Sequence, residues 1–299
     1  MNREFDSNFS VLATDTRELV APSGHPEFPV TPQEPRLVKK KTPALWKRKG
    51  VVKKSLLIGS VSILTGIVVW AIAAYIIGNQ LFLVGPLRVV ERTVTLWQNG
   101  TLGADLETSG LEFFVGLLAA ILAGIPIGVL VGMAQGWRFV LQPWISGFYS
   151  TPVVALSPLI ILWFGIGLVS KVVVIFSVAV FPIIANTQAG VSGIDPDLVE
   201  MVGAFDISRR SKIRHLYLRG SMPFVLTGVR LAVGRAVVGV VVAELFGARS
   251  GLGYLIQVSS QAYDTAGLFS AVVILALLGV VLSSIAYRLE RMSAPWLNR

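Results

Sequence analysis

The chain has 299 residues, of which 54% are hydrophobic and 14% are charged, and its mean hydropathy is +0.70. Soluble domains rarely reach this apolar content, so the composition excludes an ordinary soluble enzyme and indicates an integral membrane protein. The net charge of +9 does not predict nucleic-acid binding, because no soluble domain with a basic, aromatic face is left once the apolar runs are assigned. Without cysteine and with two histidines, the chain predicts no disulfide and no metal site rich in these ligands.

Residues 1–50 precede the first apolar run and predict a cytoplasmic, largely disordered basic tail, without the apolar core of a signal peptide. Arg36–Lys54 contains nine basic residues and no acidic one. This stretch either contacts the anionic inner leaflet or is a charge cluster that sets membrane topology. The membrane domain is predicted to cover residues 51–299.

Six apolar runs are long enough to cross about 30 Å of hydrocarbon as helices. In chain order they are Ser55–Ile77, Leu111–Met133, Ile145–Phe164, Val169–Gly190, Pro223–Phe246 and Ala266–Tyr287. The predicted fold class is therefore an all-α integral membrane protein with six transmembrane helices. The third run is the least regular, because Pro152 and Pro158 interrupt it and freed backbone groups need other partners within a membrane.

Basic residues are divided unevenly between the two sides of this arrangement. Twenty of the 26 lysines and arginines fall on the side of the N-terminal tail, four on the other side, and two within the fifth run. The positive-inside rule then places both termini and the long loop at about 191–222 in the cytoplasm. The predicted localisation is multi-pass, in the bilayer of the cell (inner or plasma) membrane.

The outward connection and the second run carry two local patterns. Leu87–Trp97 predicts a short surface helix that either contacts a substrate-delivery protein or is a passive connector.

Gly124, Gly128 and Gly132 recur every fourth residue, which is typical of close helix packing; a flexing gate helix is the alternative.

The third run is the best candidate for a translocation path, because irregular helix backbone is tolerated in a membrane where it lines a cavity. Its hydroxyl groups are suited to bind an oxyanion, and its aromatic pair to form an apolar constriction; the alternative for the pair is an interfacial anchor. The predicted path residues in this run are Ser150, Thr151, Pro152, Ser157, Pro158, Trp163 and Phe164.

Charged residues inside apolar runs are expensive and indicate function unless they pair with one another. Arg235 lies deep in the fifth run, so we add it to the predicted path as an attractor for an anionic substrate. Arg230 lies nearer the cytoplasmic end and is expected to snorkel, while Glu244 is expected to pair with Arg249 or with the outer loop. The alternative is that these charges hold the helices in register.

The long loop begins with a helix signal, because Asp195 is a good cap, Pro196 suits the first helical position and Asp197 suits the first turn. An apolar stripe follows on one face, with Glu200 and Asp206 on the wet side. This helix either docks in a groove of a partner protein or is an ordinary solvated helix. The stripe consists of Leu198, Met201, Val202 and Phe205.

The loop resembles the cytoplasmic coupling loop of bacterial ABC-importer permeases, whose pattern is E-A-A, three residues, G, nine residues, I-x-L-P. Glu200 and Leu218 match this pattern, and the other positions are replaced by Met201, Val202, Asp206, Leu216 and Arg219. Thr151–Gly167 and Gly228–Glu244 look like the branch that handles nitrate, sulfonates, taurine and bicarbonate. The resemblance runs from about Leu106 to Tyr287.

This resemblance implies a type I importer permease, the passive membrane half of the transporter. The chain contains no phosphate-cradling G-x-x-x-x-G-K-[ST] loop, so ATP and Mg²⁺ are expected on separate ATPase subunits. The residues expected to contact those subunits are Asp197, Leu198, Glu200, Met201, Val202, Phe205 and Asp206. The resemblance further implies an external substrate-binding protein and a second permease chain, with a homodimer favoured over a heterodimer.

Two other classes are weighed against this one. An ion-gradient-driven secondary transporter or channel more often shows internal repeats or a chain of intramembrane acids, and a purely structural anchor does not need a proline-broken span. The family resemblance favours a small anion as substrate. Related permeases carry arginine where Glu112 stands here, which leaves room for aromatic acids or neutral precursors, and a deeply placed Glu112 needs a partner.

Overall fold

A computed structural model describes residues 48–133, 135–205 and 207–293, and within them every regular element is a helix. The helices are α1 (Arg48–Ile77), α2 (Pro86–Gln98), α3 (Thr101–Met133), α4 (Gln135–Ser150), α5 (Val153–Phe164), α6 (Leu168–Ser192), α7 (Pro196–Ala204), α8 (Arg209–Lys212), a π-helical segment (Ile213–Tyr217), α9 (Leu218–Gly247), α10 (Leu252–Gln261) and α11 (Thr265–Ser293). The chain divides into units Met1–Leu56 and Leu57–Arg299, and the description below concerns the second.

Five helices in the described ranges are long and apolar enough to cross a membrane. They are Ile58–Ile77, Thr101–Met133, Leu168–Ser192, Arg209–Gly247 and Thr265–Met292. A sixth crossing is formed only if Phe139–Ser150 and Val153–Phe164, bent by 96°, count as one broken span. The third predicted span is thus found as a bent pair of helices, in agreement with the predicted interruption at Pro152, which has no N–H and disfavours helical backbone before it.

Helices α3, α6 and α9 form the centre of the bundle. A β-carbon added at Gly124 would lie 2.9 Å from Cγ2 of Ile183, and one at Gly128 would lie 2.6 Å from Cβ of Thr187. The glycine series thus lets α3 approach α6 with almost no space between their backbones, and the prediction of close packing is confirmed. The buried apolar residues that join the three helices include Phe113, Leu117, Ile175, Ile183, Ala232, Ala236 and Val240.

Shorter helices close the end of the bundle that the charge distribution assigns to the exterior. The predicted surface helix is confirmed as α2, in which Val89 and Leu96 are buried while Trp97 is exposed. A second apolar cluster joins α2 to the beginnings of α3, α10 and α11. At α1, the ring of Trp70 stacks on Phe269 of α11 at 5.7 Å between centroids.

Candidate coupling surface and translocation cavity

Helix α7 begins as its sequence predicts. The carboxylate of Asp195 accepts a hydrogen bond from the backbone N–H of Asp197 at 3.0 Å, and Pro196 occupies the first helical position. Capping of this kind contributes about 1 kcal/mol to a helix, which matters for a helix of only nine residues. The predicted helix start is confirmed.

One face of α7 packs on the bundle and the other is exposed. Val199 contacts the apolar cluster at the cytoplasmic ends of α3 and α6. On the opposite face the exposed fractions are 45% for Leu198, 51% for Met201 and 73% for Phe205. Val202 is half-buried, so the exposed part of the predicted stripe is narrower by one residue.

The polar residues of the predicted coupling set flank this stripe. Asp197 and Glu200 are exposed, as expected for the wet side of the helix. Asp206 lies outside the described residues. An exposed apolar stripe of this kind on a fixed, capped helix has the form that a groove on a partner protein can bind.

The loop continues into α9 without interruption. Helix α8 leads through the π-helical segment into α9, giving a run of 39 residues from Arg209 to Gly247. Arg219, which stands where the family pattern has proline, is the second residue of α9 and lies inside this run. The helix continues through Arg219 and does not begin there, so this position does not need a proline to start a helix.

The break between α4 and α5 is made by Thr151 and Pro152, with Ser150 ending α4. All three predicted hydroxyls donate to a backbone carbonyl four residues earlier in the chain: Ser150 to Ser146 at 2.7 Å, Thr151 to Gly147 at 2.8 Å and Ser157 to Val153 at 3.2 Å. The structure thus does not leave these hydroxyls free as donors for an oxyanion. The physical reason is that a hydroxyl near a helix finds a carbonyl one turn back.

Two cavities open beside this break. A cavity of about 160 Å³ is lined by Thr151, Pro152 and Arg235, and one of about 330 Å³ by Thr151, Trp163 and Phe164. Five of the eight predicted path residues therefore line one cavity or both. Ser150, Ser157 and Pro158 line neither, and Ser157 is fully buried in α5.

The two arginines of α9 have different surroundings. Nη1 of Arg230 lies 3.1 Å from Oε2 of Glu290 on α11, so Arg230 is paired rather than only snorkelling. Arg235, five residues further along, is exposed, and no carboxylate of the described ranges lies within ion-pair distance of it. Its guanidinium lies 6.0 Å from the ring centroid of Tyr149, a cation–π contact across the smaller cavity.

A buried charge network at the exterior end holds the three central helices together. Nζ of Lys171 on α6 donates to Oε1 of Glu112 on α3 at 2.5 Å, and both side chains are more than nine-tenths buried. Glu112 therefore has the partner that its depth requires. The sequence alone does not connect Lys171 with Glu112, because spacing along the chain carries no signal for a pair that lies 59 residues apart.

The same network begins helix α10. Glu244 accepts hydrogen bonds from the hydroxyl of Ser109 and from the N–H of Gly253, both at 2.6 Å. Asp105 accepts from the N–H of Gly251 at 2.8 Å, where φ is +119° and favours glycine. Glu244 is expected from the sequence to pair with Arg249 or with the outer loop. Among the described residues its recorded partners are Ser109 and Gly253, and Arg249 is not one of them. The first turn of α10 is thus capped by side chains of α3 and α9.

Comparison with known proteins agrees with this architecture. Residues 124–299 match the family described as the binding-protein-dependent transport system inner membrane component. The chain is 31% identical over 229 residues to the formylaminopyrimidine transport permease protein ThiX of Halalkalibacterium halodurans, covering 77% of this chain and 91% of that protein. It is 34% identical over 213 residues to the putative aliphatic sulfonates transport permease protein SsuC of Bacillus subtilis, covering 71% and 77%.

The fold is shared with a solved importer. An inward-facing structure of the MetNI methionine ABC transporter aligns with a TM-score of 0.56 at 20% identity, covering 63% of this chain and 94% of that chain. The helical bundle, its apolar spans and the family match agree with one another. The chain belongs to the inner-membrane permeases of binding-protein-dependent ABC importers.

Proposed function

We propose that this permease carries a small anion past Arg235 and that α7 transmits the movement of separate ATPase subunits. The observation that carries the proposal is the environment of Arg235. It lies midway along a membrane-crossing helix, it is exposed, and no carboxylate of the described ranges pairs with it. A cation at this depth costs free energy where it contacts lipid, so the guanidinium of Arg235 is expected to face water or another chain.

The face that carries Arg235 also supports a second permease chain. Leu231 and Val238 are exposed on the same side of α9, one turn before and one turn after Arg235. A path closed on all sides needs a wall opposite this face, and a second copy supplies one with no further component. We therefore favour a homodimer, and a heterodimer with another permease is the alternative outcome of measuring the subunit composition.

An anionic substrate agrees with the chemistry of the path. Arg235 presents a planar fork of donors that matches carboxylate or sulfonate oxygens. The relatives named for aliphatic sulfonates and for formylaminopyrimidine have similar identity to this chain, so their substrates do not decide between charged and neutral solutes. The positive charge of the cavity supports a solute with an anionic group, such as a sulfonate, taurine, nitrate or bicarbonate.

Coupling is assigned to the exposed face of α7. In this proposal Leu198, Met201 and Phe205 enter a groove on each ATPase, Glu200 borders the groove, and ATP and Mg²⁺ bind to the ATPase. An external binding protein delivers the solute to the opposite end of the bundle. Residues 51–299 form the permease domain in this scheme, and residues 1–50 a cytoplasmic tail.

The experiment that tests coupling is copurification of the ATPase from mild detergent with Phe205→Asp. Because this substitution places a charge in the docking groove, ATPase association and solute uptake are expected to fail together while the protein still inserts in the membrane. Tyr263→Asp is the matched control for ATPase association and should leave it unchanged, since Tyr263 is 78% exposed at the end of the bundle away from α7. Unchanged ATPase binding by Phe205→Asp contradicts the coupling assignment. Uptake that needs no ATPase favours an ion-gradient-driven transporter instead.

A further inference from the structure

We propose that the cavity beside Arg235 selects an organic anion with a flat apolar ring, such as an aromatic carboxylate or sulfonate. This inference rests on the proposed function, because it assumes that Arg235 faces the path. It goes further by excluding nitrate, bicarbonate and short aliphatic sulfonates as the solutes that this cavity binds best.

The cavity supplies one charge and few free donors. The hydroxyl of Thr151 donates to the carbonyl of Gly147 at 2.8 Å, and that of Ser177 donates to the carbonyl of Val173 at 2.7 Å. Among the described residues that line the cavity, Arg235 is the only charged side chain, and the hydroxyl of Tyr149 is the one other donor without a recorded partner. A small inorganic anion loses hydration on all sides when it leaves water, and donors on one side alone do not replace that loss.

The rest of the cavity wall is aromatic and aliphatic. Phe148 and Phe181 lie with their rings 6.0 Å apart and inclined by only 15°, and the ring of Tyr149 lies beside Arg235. These three rings come from α4 and α6, while the guanidinium comes from α9. A flat ring stacks on such surfaces in an offset or edge-on arrangement and gains more than its buried area alone provides.

The size of the cavity agrees with a single ring. Its volume is about 160 Å³. A cavity of about 150 Å³ with apolar walls is known to hold benzene. A ring-bearing anion therefore places its carboxylate or sulfonate on Arg235 and its ring among Phe148, Tyr149 and Phe181, so that every part of the molecule meets a matching surface.

The direct test is equilibrium binding to the purified permease–ATPase complex in detergent, without the binding protein. Radiolabelled benzenesulfonate and ethanesulfonate have the same head group, so any difference between them reports the ring. We expect benzenesulfonate to bind about tenfold more tightly, because more apolar area is buried. Excess nitrate should displace it weakly.

Variants distinguish the role of the ring from that of the charge. Tyr149→Leu should lower benzenesulfonate affinity about fivefold and leave ethanesulfonate affinity nearly unchanged, whereas Tyr149→Phe should retain the preference. Arg235→Gln should abolish binding of both. Trp97→Leu, on the surface of α2, is the control and should change neither.

The outcomes separate the two proposals. Ethanesulfonate binding as tight as benzenesulfonate binding overturns the ring selectivity and leaves the anion path intact. Binding of neither sulfonate in a complex that retains ATPase activity overturns both the selectivity and the anion path. Ring preference that persists in a folded Tyr149→Leu complex overturns the assignment of selectivity to this cavity.

Discussion

The central bundle and the bent helix pair beside it differ in how their charged groups are paired. In α3, α6 and α9 the buried charges have partners: Glu112 meets Lys171, and Glu244 accepts from Ser109 and Gly253. Around the break between α4 and α5, rings are exposed and Arg235 has no carboxylate partner in the described ranges. An intramembrane charge therefore indicates a path only where the structure gives it no partner of opposite charge.

Helix α9 contains both situations within five residues. Arg230 pairs with Glu290, which also accepts from the hydroxyl of Thr227 at 2.7 Å. Arg235 faces a cavity and the ring of Tyr149. A single helix thus carries one arginine that is paired and one that is not, and substitutions at these and other positions test whether the two regions differ in role.

The largest effect is expected from removing the buried cation of the bundle. Lys171→Met leaves Glu112 buried without its partner, and breaking a buried pair in this way costs about 3–5 kcal/mol of folding stability. The melting temperature of the detergent-solubilised protein should fall strongly. The comparison fails if this variant is as stable as the unmodified chain.

A double substitution serves as the control for that prediction. Glu112→Gln combined with Lys171→Met removes both charges, so no uncompensated ion is buried. Much of the lost stability should return, since replacing a buried pair is often nearly neutral. A double variant as unstable as Lys171→Met would show that the cost is steric rather than electrostatic.

A smaller loss is expected from the glycine contact between α3 and α6. The added β-carbon in Gly128→Ala would lie 2.6 Å from Cβ of Thr187 and 2.9 Å from the carbonyl oxygen of Ile184, so the helices must separate. Overpacking of this kind costs about 1–3 kcal/mol. Gly110→Ala is the matched control in the same helix, because no atom lies within 4 Å of its added β-carbon. Equal melting temperatures for the two variants would argue against tight α3–α6 packing.

Much of the fold could be predicted from the sequence because the signals are local. Apolar length identified the spans, Asp195-Pro196 identified the start of α7, and the glycine spacing identified the packed face of α3. The bend of 96° between α4 and α5 could not be predicted in size, because Pro152 marks a break but its angle depends on the helices packed around it.

The candidate site was predictable only in part. Arg235 was identified by its charge within an apolar run, and the structure leaves it exposed beside a cavity. For Ser157 the sequence does not report that the hydroxyl bonds to Val153 and that the residue is buried, so it lines neither cavity in this structure. The network of Asp105, Lys171 and Glu244 depends on contacts between distant helices, which no single spacing reveals.

The smallest effect on stability is expected at Arg235 itself. Arg235→Gln removes no ion pair of the described residues, so folding stability should change by no more than about 0.5 kcal/mol. Arg230→Gln should cost about 1 kcal/mol, because it breaks a partly buried pair with Glu290. Arg230→Gln should therefore lower the melting temperature more than Arg235→Gln does.

The effects on solute uptake should follow the reverse order, so that Arg235→Gln slows uptake more than Arg230→Gln does. If an anion passes Arg235, losing a charged donor to it should slow uptake about tenfold or more, at unchanged expression and unchanged affinity for the binding protein. Arg235→Lys keeps the charge without the planar fork and should retain part of the rate. Arg230→Gln should reduce uptake only as far as it lowers the amount of folded protein. Normal uptake by Arg235→Gln, together with a large loss of stability, would make Arg235 a structural residue of the bundle and remove the contrast between the two regions.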